Sequence, residues 1–230
     1  MPHFRVSLLL ALKVVSSAGD AAEEGHDKAA APVRPFQTHA HLGPLSFVMS
    51  TLVAPVSNLH GTPSAELSSA MLGARSSVRR LLATVIAAAP NGRDYYPQGD
   101  NALRLAIKEF ESGCDALSAI ADDIFRLAET ECQDVVPFVA RAASVPENPS
   151  VVPTIHSNGS SPEFLRDSAR QIFKDAQAAE EVFRSIVPNG RDYGMGEAWV
   201  AAREQHLDRV TTVRRIGGYY LQIAMACRKA

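Results

Sequence analysis

The sequence predicts an all-α fold, with two tandem antiparallel helical hairpins forming a four-helix bundle behind an irregular N-terminal segment. Three observations carry this expectation. The hexapeptide Pro90-Asn91-Gly92-Arg93-Asp94-Tyr95 recurs unchanged as Pro188–Tyr193, 98 positions later. Apolar residues at helical spacing flank each copy on both sides. A proline-dense stretch, with Pro137, Pro146, Pro149 and Pro153, separates the two units. The resulting organisation is an N-terminal segment 1–61, a first hairpin 62–131, a linker 132–160 and a second hairpin 161–230.

The hexapeptide reads as the turn of each hairpin. Proline biases the preceding residue away from the helical region and ends the helix before it. Asn-Gly takes positive φ readily, which reverses a chain after a helix C-terminus. Asp94 and Asp192 are expected to accept backbone N–H bonds within their own turns. Arg93 and Arg191 are expected to reach the last carbonyls of the preceding helix, where the dipole favours a cation. Tyr95 and Tyr193 are expected to close the open ends of the hairpins with their hydroxyls in water. The same six residues, Arg93, Asp94, Tyr95, Arg191, Asp192 and Tyr193, are the candidate binding residues. If both hairpins point the same way, the two clusters meet at one end of the molecule.

The helices follow in order. Thr62-Pro63 opens the first, Thr as N-cap and Pro at the first helical position. Leu67, Met71, Ala74, Val78, Leu81 and Val85 give it one apolar face up to about Ala89. The second starts after Gly99 with Asp100 or Asn101 as cap. It carries Leu103, Ala106, Phe110, Leu117, Ile120 and Ile124 to about Glu131. A short helical turn is expected within 136–143. Ser161-Pro162-Glu163 opens the third, whose stripe includes Ala169, Ile172, Ala176, Ala179 and Phe183. The fourth follows Gly196, with Trp199, Ala202, His206, Val210, Val213, Ile216 and Tyr220 on one face. Gly217-Gly218 inside it predicts a kink, fraying or a close helix crossing. With a short deletion after Gly196, the likeness continues past the turn: Ala106 matches Ala202 and Phe110 matches His206.

Composition narrows function further. The chain of 230 residues has 23 Lys and Arg against 25 Asp and Glu, which argues against a nucleic-acid binder. Acids dominate 97–134 (net −6) and bases 195–230 (net +3), so the acidic second helix is expected between basic neighbours. Cys114, Cys132 and Cys227 form no metal or redox spacing and read as free thiols. No apolar run is long enough to span a membrane. Residues 1–17 resemble a signal peptide superficially, but Lys13 interrupts the apolar stretch. A cytoplasmic location is expected, or secretion if residues 1–18 act as a signal. Residues 18–45 read as a flexible linker that adds little to the fold. His39, His41 and His60 lack the further ligands of a metal site, so neither metal nor cofactor is expected.

Asn-Gly-Arg-Asp-Tyr-Tyr-Pro-Gln-Gly at 91–99, followed by spaced Ala and aromatic positions and a Glu-His pair, resembles uncharacterised small helical-hairpin proteins of bacteria and prophages. The first unit has Glu109-Phe110 at that pair and the second Gln205-His206. The second also lacks Tyr-Pro-Gln. The resemblance covers about 62–130 and 161–228 and implies a helical hairpin, here in tandem duplicate. It implies no activity or catalytic residue.

The expected function is a non-enzymatic helical interaction or structural module, with a protein partner, self or other. The alternative is a regulatory or adaptor protein that binds a small ligand or peptide at the paired turns. An enzyme would need distant groups such as Asp94, Asp192 and His206 brought together, and the chain carries no nucleotide-loop, zinc-protease or nucleophile-elbow motif.

Overall fold

The computed structural model of the chain describes residues 50–56, 60–129, 137–193 and 196–228. The chain divides into Met1–Phe47 and Val48–Ala230, and every described residue belongs to the second unit. The signal-like start, the 18–45 linker, His39, His41 and Cys132 lie outside the described residues.

The described residues are mostly helical, as an all-α fold requires. In chain order they form β1 (Ser50–Thr51), α1 (Ser64–Ala87), α2 (Gly92–Tyr95), α3 (Asp100–Ala128), β2 (Pro137–Phe138), α4 (Pro162–Ser185), α5 (Gly190–Tyr193) and α6 (Glu197–Ala226). Two 3₁₀ turns, Tyr96–Gln98 and Ala142–Ser144, complete the set. β1 and β2 pair antiparallel, Ser50 opposite Phe138. The short helical turn expected in 136–143 is therefore a strand followed by a 3₁₀ turn, because Pro137 and Phe138 have a partner strand in β1. The four long helices begin and end within three residues of their expected limits. α1 packs along both α3 and α4, and α4 along α6.

One core lies between these helices. Val78 and Leu81 of α1, Leu117 and Ile120 of α3, Ile172 and Phe183 of α4, and Val213 of α6 are almost wholly excluded from water. Burying each such side chain is worth roughly 1.5–3 kcal/mol. The buried face of α1 (Met71, Ala74, Val78, Leu81, Val85) recurs 98 residues later in α4 as Ala169, Ile172, Ala176, Ala179 and Phe183. The buried positions of α3 recur 96 residues later in α6. Ala106, Gly113, Leu117, Ile120 and Ile124 correspond to Ala202, Arg209, Val213, Ile216 and Tyr220.

Gly217 marks a close crossing and not a break, since α6 runs on through it. A Cβ at Gly217 would stand 2.9 Å from the Cβ of Ala176, so α6 lies against α4 at a separation only glycine permits. A buried carboxylate joins α1 to α4: Asp175 accepts from Arg80 at 2.8 Å and from the Thr84 hydroxyl at 2.7 Å. Burial alone would raise the Asp175 pKa, but the bonds from Thr84 and Arg80 hold it below the usual carboxylate value. Basic α1 does neighbour acidic α3, yet its contact there includes Arg75 stacked 4.1 Å over Phe125. The ion pairs between long helices, among the described residues, join α1 to α4 and α4 to α6.

The helix starts differ from expectation. Pro63 stands at the α1 N-cap with no side-chain cap bond, because the Thr62 hydroxyl is engaged elsewhere. Ser161 does cap α4, accepting the Phe164 N–H at 3.2 Å. α3 begins at Asp100 itself, its N-cap being Gly99 at φ 83°, and α6 follows Gly196 at φ 106°. Positive φ therefore falls on these glycines and not on the Asn-Gly pairs.

Candidate functional site

Each hexapeptide folds as one short helical turn capped by its own asparagine. The Asn91 side chain accepts the Arg93 N–H at 3.1 Å, with Asn91 in extended backbone (φ −96°, ψ 128°). The Asn189 side chain accepts from the N–H of Arg191 at 2.9 Å and of Asp192 at 3.1 Å. Asparagine is thus an N-cap in both copies, which corrects its expected role as a left-handed reversal.

Among the described residues neither aspartate accepts a backbone N–H of its own turn; the bond within a turn is from the Asn189 side-chain amide to Asp192, at 2.6 Å. Asp94 is 2% exposed, and its Oδ1 and Oδ2 accept the Ser160 N–H at 2.6 Å and the Ser160 hydroxyl at 2.9 Å. Asp192 is 4% exposed and accepts the Thr62 N–H at 2.7 Å and the Thr62 hydroxyl at 3.0 Å. Ser160 leads into α4 and Thr62 into α1, so each turn clasps the approach to the first long helix of the other half. The backbone repeats the pattern. The Asp94 carbonyl accepts from Thr154 N–H at 2.7 Å and that of Asp192 from Val56 N–H at 2.6 Å. All three pairs, Asp94 with Asp192, Ser160 with Thr62 and Thr154 with Val56, keep the spacing of 98.

A second pair of side chains pins the same incoming segments. Gln205 donates to the Thr51 carbonyl at 2.6 Å and accepts from the Val53 N–H at 3.1 Å. Its counterpart Glu109 accepts from the Ser150 N–H at 3.2 Å. Sequence reading missed Thr62, Ser160, Glu109 and Gln205 as partners. A signal was present: Pro55 and Pro153, both buried, and Gly61 and Gly159 also stand 98 apart. Gly159 needs its small size, since a Cβ there would lie 2.9 Å from Asp94 Oδ1.

The other candidate residues separate by role. Arg93 is exposed, and among the described residues its guanidinium makes no hydrogen bond or ion pair. Its carbonyl instead accepts from His156 Nε2, so that ring carries its proton on Nε2. Arg191 is also exposed. Both tyrosines are buried, which corrects the expectation of open-end rings. Tyr95 packs with Ala102, Ala106, Leu103 and Val151, so the segment before Ser160 covers it. Burial pushes the Tyr193 phenol up to about 12 and that of Tyr95 upward as well.

The two clusters do not form one surface. Asp192 bonds to Thr62, just before α1, and Asp94 follows the end of α1. A helix of 24 residues is about 36 Å long, so the turns stand at its opposite ends and Asp94 and Asp192 are not brought together. Among the described residues the first turn borders a cavity of about 250 Å³, which Asn91, Asp94 and Tyr95 line together with Phe110, Tyr219 and Tyr220.

Near the second turn lies a buried charge cluster that the sequence did not reveal. Arg141 pairs with Asp123 at 2.7 Å. Arg209 is 5% exposed, its Nε and Nη2 have no hydrogen-bond partner, and its guanidinium lies 5.4 Å from the Phe138 ring centre. Burial pushes the Asp123 carboxyl above its usual value despite both arginines. His206 sits at the edge of the core with its ring edge-on to Phe183, 5.9 Å between centres. Burial, with Arg209 nearby, lowers its pKa to about 4, so the ring is neutral at pH 7.

Among the described residues no three His, Cys, Asp or Glu side chains are placed to hold a metal, and no helix is long and apolar enough to cross a membrane. The chain matches no protein-family model, no curated protein and no solved structure with which it was compared.

Proposed function

We propose that the chain is a non-enzymatic interaction module: two tandem helical hairpins in a four-helix bundle, cross-clasped at both ends, that presents a surface to a protein partner, self or other. The observation that carries this reading is the disposition of the start of α6. Val200 and Leu207, seven residues apart on one helix face, are 48% and 62% exposed. Trp199 beside them is half-buried, its indole N–H has no partner among the described residues, and Arg203 stacks 5.0 Å over its ring. Tryptophan and arginine are the residue types most often found at interface hot spots. The clasps support the same reading, because they leave Asp94 and Asp192 occupied by structural bonds. Sedimentation velocity, with affinity capture from a cell extract, tests it on wild type and on a Val200→Glu, Leu207→Glu double variant. Loss of association or capture in the variant, with an unchanged melt, is the expected result. A wild type that is monomeric and captures nothing contradicts it.

A second reading, ligand binding at a turn, is favoured by one observation, the cavity against Asn91, Asp94 and Tyr95. It applies to the first turn alone.

A further inference from the structure

The cavity at the first turn is bordered by rings and by negative charge. Tyr95, Phe110, Phe164, Tyr219 and Tyr220 line it with Asp94, and its lining includes no Lys, Arg or His. Tyr219 and Tyr220 meet edge to face with centres 5.2 Å apart. The Tyr219 hydroxyl donates at 3.0 Å to Glu109, which places a second carboxylate behind the ring. The backbone at Ala87–Ala89 also lines the cavity, where α1 ends with no basic residue in its last turn. A helix C-terminus carries partial negative charge. α4 contributes its N-terminal end, where Ser161 caps one N–H and Glu163 supplies a negative charge. Aromatic faces, carboxylates and a helix C-terminus all favour a cation.

The other half of the molecule shows the same framework with a cation built in. At the spacing of 96, Gly113 corresponds to Arg209, Glu109 to Gln205 and Tyr219 to Asp123; Tyr95 corresponds to Tyr193 at the spacing of 98. Arg209 thus brings a buried guanidinium to Asp123, Tyr193 and the Phe138 ring. In the first half Gly113 supplies no side chain, and nothing within 4 Å fills the place of its Cβ; it borders a smaller pocket that shares Phe110, Tyr219 and Tyr220 with the cavity.

We propose that the cavity at the first turn binds a small organic cation, an alkylammonium or guanidinium compound, in the environment that Arg209 occupies in the other half. This rests on the reading of the first turn as a ligand site. At about 250 Å³ the space lies below the range of drug-sized ligands, which run from about 300 Å³ upward.

The test is titration calorimetry on the full chain with four probes: choline, butylguanidinium, the neutral choline isostere 3,3-dimethylbutan-1-ol, and butyrate. Both cations are expected to bind saturably, roughly fivefold or more tighter than the alcohol, and butyrate not at all. Equal binding of the alcohol overturns the cation and leaves a ligand site standing; no saturable binding by any probe overturns both. Gly113→Arg, which installs the residue of the other half, is expected to abolish choline binding. Undiminished binding in that variant overturns the proposal. If Gly113→Arg does not fold, Phe110→Leu takes its place, with at least a fivefold loss expected and unchanged affinity contradicting the assignment.

Discussion

Asp94 grips Ser160 through both carboxylate oxygens, at 2.6 Å to the backbone N–H and 2.9 Å to the hydroxyl, across 66 residues of sequence. Asp192 grips Thr62 in the same way across 130. These two clasps, of two hydrogen bonds each, give the repeated hexapeptide its use: it caps its own turn with Asn and fastens the other half with Asp.

The glycine pair in α6 separates close packing from backbone freedom. Gly217→Ala forces a Cβ to 2.9 Å from Ala176 and pushes α6 away from α4. A loss of about 1–3 kcal/mol is expected in urea unfolding, the range for overpacking. Gly218→Ala meets nothing within 4 Å and should gain about 0.5–1 kcal/mol from helix propensity. Equal effects of the two substitutions would refute the close crossing.

The buried charge cluster depends on Asp123, which faces both Arg141 and Arg209. Asp123→Asn leaves two guanidinia without their shared carboxylate and should cost roughly 3–5 kcal/mol. Arg141→Met should cost less, because Arg209 remains as counter-charge. The reverse order in denaturant melts would show that Arg209 does not use Asp123.

His206 predicts a pH dependence of definite sign. Its pKa is about 4 when folded, against an ordinary value of 6.5. The unfolded chain therefore binds the proton first, so stability falls as pH drops from 6.5 towards 4 and this contribution levels off below that. His206→Phe, which installs the type found at Phe110, should remove that part of the slope between pH 7 and 5. An unaltered slope would place the titration elsewhere.

Cys114 and Cys227 are free and buried, and burial raises both thiols, that of Cys114 to about 12. Alkylation of native protein at pH 8 should be slow at both and complete after denaturation. Rapid native modification would show that α3 or the end of α6 opens readily.

The helices were legible because Val78, Leu81, Leu117 and Val213 fall on regular 3.6-residue faces, and because Pro90 and Pro188 stop the chain at fixed points. The clasps were not. Asp94 and Ser160 are remote in sequence, and local turn chemistry offered Asp94 a plausible partner nearby. The sequence also pointed to Thr62 as a cap, since a hydroxyl before Pro63 suits either role. Tyr95 reads as an end residue in the sequence because the segment that covers it, near Val151, lacks period. Arg209 showed only as one more base in a basic stretch, since burial of a charge leaves no mark in spacing.

Arg93 and Asp94 are adjacent but have separate duties, and a comparison of them reads the account most directly. Guanidinium-chloride unfolding of Asp94→Ala, Asp192→Ala, their double variant and Arg93→Ala is the decisive measurement. Each Asp variant should lose roughly 1–3 kcal/mol, the range for stranding buried hydrogen-bond partners. The losses should add in the double variant, because the clasps lie far apart. Arg93→Ala should stay within about 0.5 kcal/mol of wild type. If both Asp variants unfold with wild type, the turns do not clasp the two halves and the account is wrong.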